Sequence, residues 1–295
     1  MNASFASETD GRLARFVNAH PWWFVLALLG ILEGILVGLG FLGRAFIRFS
    51  HVPAQPVRDV LELLLVIVAF LLISRLKWWR QTGFMQGITW KDMPLLLFPI
   101  IFMLFIAIPT LFPLIFGPNK VALDQFLSLA LFCGLVGLAE ESLCRGLILQ
   151  AFLSKGVLRA IILSALVFGL LHTSNLFAGY SLGFVVGQIL LAFGLGLTYA
   201  VIRLRTGSIW PVIILHGLYD YAPLVRASKF GIPPIDVWQA LLGSGFLFLL
   251  YLIYAAIALR PSKLAELRAH YQSKNVDLPP VETVDMQPVD LPAQE

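Results

Sequence analysis

Between Trp22 and Arg260 the chain is a succession of apolar runs, most of them near twenty residues long, separated by short polar stretches. A helix needs about 20 apolar residues to cross the hydrocarbon core of a bilayer. Within that core every backbone polar group must be satisfied internally, which for runs of this length selects helices. Of the 295 residues 59% are hydrophobic and 13% charged, and the mean hydropathy is +0.85. A soluble domain of this size has no interior large enough to hide that surface. The expected fold class is therefore all-α: a polytopic membrane helical bundle of about eight transmembrane helices, near residues 22–42, 59–75, 92–116, 124–154, 157–173, 181–202, 208–225 and 236–259.

The regions around these runs divide the chain. Residues 1–21 read as a polar cytoplasmic leader, 22–260 as the bundle, and 261–295 as a cytoplasmic tail. From Val276 onward the tail is rich in proline, valine and aspartate, has too little to pack, and is expected to be disordered. The first apolar run shows no small-residue cleavage pattern and reads as an uncleaved span. With both termini inside, most of the 21 Lys and Arg fall on the cytoplasmic side, the usual bias for a plasma (inner) membrane protein. Arg44, Arg48 and Arg58 run against it locally. The formal net charge of +4 comes from cations scattered between apolar runs and interleaved with Trp78, Trp79 and Trp90. That is the pattern of membrane loops, so the expected partner is the lipid bilayer and not nucleic acid.

Other residues carry structural expectations. Pro94, Pro99, Pro109 and Pro113 predict a kink or a preceding re-entrant turn in the third run. Gly30, Gly34 and Gly38 in the first run, and Gly183, Gly187, Gly194 and Gly196 in the sixth, predict close backbone approach. Ser208 and Pro211 predict a capped start for the seventh. Glu33 reads as a packed or water-facing polar residue. Cys133 and Cys144 lie on one predicted helix, about 16 Å apart along its axis, and read as small apolar fillers.

Charged groups inside an apolar helix are costly, about 2.5–3.5 kcal/mol each at mid-bilayer, and usually mark a pathway or a site. The fourth run contains Glu140, Glu141 and Arg145. Glu141 and Arg145 are four apart, share a helical face and suit an ion pair. Glu140 projects about 100° away from that pair and stays available for other work. Phe168 and His172 share a face of the fifth span, and His216 and Asp220 a face of the seventh. Glu140, His172 and His216 lie roughly 10 to 20 Å from the inner ends of their spans, at depths from which they can meet in one cavity.

A carboxylate beside an imidazole in such a cavity can hold and deprotonate water. A second imidazole can stabilise the oxyanion formed when that water attacks a carbonyl. The outcome is peptide-bond hydrolysis by Glu/His-activated water. Glu140, His172, His216 and Asp220 are equally candidates to bind zinc with a bound water; spacing does not separate the two. Ser142 and Cys144 flank the acids without the strained turn that an activated nucleophile requires. A proton- or solute-coupled transporter using the same residues as a relay is a second class of reading. The absence of an internal repeat disfavours inverted-repeat transporters.

Glu140-Glu141-x-x-x-Arg145, Phe168-x-x-x-His172 and His216-x-x-x-Asp220, in that order on successive spans, resemble the motifs of the intramembrane endopeptidases that include the CAAX prenyl proteases and bacteriocin-processing enzymes, the Abi or CPBP proteins. The resemblance covers about 120–226. It implies a catalytic cavity open toward cytosol and lipid. It makes Glu140 the water-activating base, His172 its partner, His216 an oxyanion stabiliser, and Glu141 and Arg145, with Phe168, supporting residues. The implied partner is a membrane-associated peptide or protein substrate, prenylated or leader-type. A catalytically inactive relative that binds a membrane partner is the remaining alternative. The family often has asparagine where this chain has Asp220. An ionised aspartate cannot donate to an oxyanion, so Asp220 is expected to orient or charge His216, or to bind metal.

Overall fold

The computed structural model describes residues 11–50, 54–232 and 235–272. The predicted disorder of the tail from Val276 lies outside the described residues, as do residues 1–10 of the leader. Helix dominates, and no strand occurs among the described residues. The α-helices are α1 (Arg12–Ala19), α2 (Pro21–Ser50), α3 (Ala54–Leu76), α4 (Met93–Phe116), α5 (Leu123–Glu141), α6 (Leu149–Phe152), α7 (Val157–Leu171), α8 (Leu182–Thr206), α9 (Trp210–Phe230), α10 (Val237–Ala258) and α11 (Pro261–Gln272). A π-helical segment, Ser142–Ile148, joins α5 to α6.

Eight long helices among the described residues match the eight apolar runs, but they are not equally apolar. Five are long and apolar enough to cross a membrane, or six if α1 and the start of α2, bent by 103°, count as one span. The helices over 59–75 and 208–225, α3 and α9, fall short of that criterion. They carry Asp59 and Glu62, and His216 and Asp220; of these, Glu62, His216 and Asp220 line a cavity within the bundle. The leader also departs from a plain polar stretch. Arg12–Ala19 is a helix that buries Ala14 and Val17 against the bundle and exposes Arg12 and Arg15.

Proline does not break the third run. Met93–Phe116 is one continuous helix that contains Pro99, Pro109 and Pro113. A 3-10 turn, Trp90–Asp92, leads into it and carries a capping box in which the Thr89 N–H donates to Asp92 Oδ2 at 2.7 Å; Pro94 sits in the first turn of the helix, where no N–H is missed. Pro99 cannot donate to the carbonyl of Leu95 four residues earlier. The Tyr254 hydroxyl of α10 donates to that carbonyl instead.

α8 lies between α7 and α10, and its glycines act as the spacing predicts. An added Cβ at Gly187 would meet Ala240 at 3.2 Å, at Gly194 Phe248 at 3.1 Å, and at Gly196 Ala165 at 2.9 Å. α8 thus lies flush against α10 on one side and α7 on the other. The glycines of α2 do not behave this way. Among the described residues no atom lies within 4 Å of a Cβ added at Gly30, Gly34 or Gly38, so their spacing marks an open face and not a helix crossing. At the start of α9, Ser208 Oγ lies 3.4 Å from the Trp210 nitrogen and donates to Gln86 O at 2.7 Å, tying the helix start to the loop after α3.

α5 and α9 also cross at backbone distance. A methyl on Gly217 would stand 2.9 Å from the carbonyl oxygen of Cys133, and one on Gly137 2.7 Å from that of Ile213. Both obstacles are backbone, which cannot swing aside. Gly217→Ala is therefore expected to cost about 1–3 kcal/mol through overpacking. It should lower the thermal unfolding midpoint in detergent micelles. Gly134→Ala, whose added methyl meets nothing within 4 Å, is the control and should leave the midpoint unchanged or raise it.

Candidate active site

The α5–α9 crossing at Gly137 and Gly217 brings two successive carboxylates of α5, Glu140 and Glu141, to His216 of α9. The two acids leave the helix in different directions, as their spacing predicts. Glu141 is fully buried, whereas the side chain of Glu140 keeps 31% of its surface and lines a cavity of about 450 Å³. Immediately after Glu141 the helix widens into the π-helical segment, a distortion common at functional sites. Ser164 Oγ of α7 donates to the Cys144 carbonyl within it at 2.8 Å. Both cysteines are buried and free.

Glu141 is the hub of the buried network. Its Oε1 accepts from Arg145 Nη1 at 2.9 Å and from His216 Nδ1 at 2.7 Å. The pair with Arg145 is the one the sequence predicts; the bond to His216 is not. The Arg145 guanidinium lies over the Phe168 ring, 4.1 Å from its centroid, and 5.6 Å from that of Tyr199. Phe168 also packs edge-on against His172 and His216, with centroids 5.2 and 5.6 Å away. One aromatic ring thus braces the cation and both imidazoles.

With Nδ1 given to Glu141, His216 presents Nε2 to the cavity, 3.3 Å from Asp220 Oδ2 and 3.6 Å from Glu140 Oε2. Asp220 and Glu141 thus contact opposite nitrogens of the His216 ring. His172 Nδ1 lies 3.0 Å from the Phe168 carbonyl. A carbonyl only accepts, so Nδ1 donates and Nε2 is left to accept a proton or hydrogen bond. Glu140, His172, His216, Asp220 and Phe168 all line the one cavity.

Among the described residues no three His, Cys, Asp or Glu side chains are placed to hold a metal ion. One carboxylate outside the motifs reaches the cavity and a second lies farther off. Glu62 of α3 lines the cavity, and Glu33 of α2 lies within electrostatic reach of His172. Glu62 carries the same sequence signal as Glu140, an acid inside an apolar run. Tyr199 carries none, because a tyrosine in an apolar helix is ordinary.

Residues 122–222 match the family model described as type II CAAX prenyl endopeptidase Rce1-like. No curated protein and no solved structure gives a significant match to the chain. The matched segment contains all three motifs, from Glu140 to Asp220. The chain is an integral membrane protein, and its residues 122–222 are similar to the type II CAAX prenyl endopeptidase Rce1-like family.

Proposed function

We propose that the protein hydrolyses a peptide bond in a membrane-associated substrate, prenylated or leader-type, by water activated at Glu140 and His172. The observation that carries this reading is the convergence of Glu140, His172 and His216 on one cavity inside the matched segment. Glu140 takes a proton from the water, whose other hydrogen-bond partner is His172 Nε2. The water oxygen then bonds to the scissile carbonyl carbon. As an imidazolium, His216 gives Nδ1–H to Glu141 and Nε2–H to the oxyanion, replacing its resting neighbour Asp220. Asp220 supplies counter-charge. When the intermediate collapses, the C–N bond breaks and the proton held by Glu140 passes to the leaving amine. The enzyme sits in the plasma (inner) membrane with both termini cytoplasmic, a placement supported by the distribution of Lys and Arg.

The test uses purified protein in proteoliposomes with quenched reporter peptides, one prenylated and one merely hydrophobic, and mass spectrometry of the products. Cleavage at a single bond is expected, and it should persist in a chelator without stoichiometric metal. Chelator loss reversed by zinc would instead assign the water to a metal site. Solute uptake without cleavage would support the transporter reading, and peptide binding without either would leave a catalytically inactive relative.

A further inference from the structure

The motif residues of the chemical core come from α5, from α7 and the turn that follows it, and from α9, yet the cavity has another wall. Leu32 and Val37 of α2 and Glu62 and Leu65 of α3 contribute to it. Those helices lie outside the matched segment. Three of these four wall residues are apolar, and the fourth is Glu62. Glu62 Oε2 is buried and has no hydrogen-bond partner among the described residues. Its carboxyl lies within electrostatic reach of Glu140, His216 and Asp220.

An unpaired buried acceptor is costly to keep and usually has a use. Glu62 cannot be the supporting acid of the core, because Glu141 already holds both Arg145 and His216. We infer that Glu62 is a substrate-binding residue, whose carboxyl accepts a hydrogen bond from a backbone N–H of the bound peptide while the apolar residues around it receive side chains. This inference rests on the peptidase reading of the same cavity. Its chemistry is that of an extended peptide, which presents an N–H donor at every non-proline residue. The role belongs to binding and not to proton transfer, so it separates Glu62 from Glu140 in kinetic terms.

The experiment compares Glu62→Leu with Glu62→Gln. Losing a hydrogen bond at a buried site should raise KM about tenfold for Glu62→Leu, with kcat held within about threefold. Glu62→Gln retains a carbonyl acceptor and should recover most of that loss. A second arm measures affinity without turnover, by fluorescence anisotropy of the hydrophobic reporter peptide on the Glu140→Gln protein with and without Glu62→Leu. About tenfold weaker binding is expected there too. Unchanged KM and unchanged affinity would overturn the inference, as would a loss confined to kcat. If the parent protein binds the peptide but never cleaves it, the peptidase reading fails while the affinity arm still decides the role of Glu62.

Discussion

Glu141→Ala is expected to destabilise the protein by about 3–5 kcal/mol, the usual cost of leaving one member of a buried ion pair alone. Glu141 and Arg145 both have fully buried side chains. Removing the acid strands a guanidinium that lies against the Phe168 and Tyr199 rings. It also removes the acceptor for His216 Nδ1. The two consequences are separable. In Glu141→Leu/Arg145→Met no member of the ion pair is orphaned, and most of the stability should return. Activity should not return, because His216 Nδ1 then loses its acceptor. Unfolding midpoints in micelles and reporter cleavage measure the two effects. A double variant that was both stable and active would show that the Glu141–His216 bond is dispensable.

That network also marks where the sequence stopped being informative. Helical periodicity relates residues three and four apart, so it pairs Glu141 with Arg145 and Phe168 with His172. It says nothing about which helix crosses which. The bond from Glu141 to His216 spans 75 residues and depends on α5 and α9 meeting at backbone distance through Gly137 and Gly217. Those glycines look no different in sequence from Gly30 or Gly34, which have nothing packed against them among the described residues. The proline-rich third run depends on tertiary context in a related way. Proline removes a local bond, but whether the helix breaks depends on a distant donor, here Tyr254. Hydropathy located the eight long helices because burial in lipid acts on each run separately. It was least faithful at α3 and α9, where polar groups face the cavity.

Glu140→Gln is expected to lower kcat by about 10³- to 10⁴-fold, the upper scale of a positioned general base, while leaving stability nearly unchanged. The contrast with Glu141 follows from their surroundings. Glu140 keeps part of its surface on the cavity and takes no part in the Glu141–Arg145 pair, so the isosteric amide disturbs no packing. It removes only the ability to take a proton from water. His172→Ala should cost a comparable factor, because His172 Nε2 is assigned to the same water. If the two act on one solvent molecule, Glu140→Gln/His172→Ala should be little worse than either single variant, since groups that work as a unit are strongly non-additive. Independent, multiplying losses would place the two side chains on separate steps.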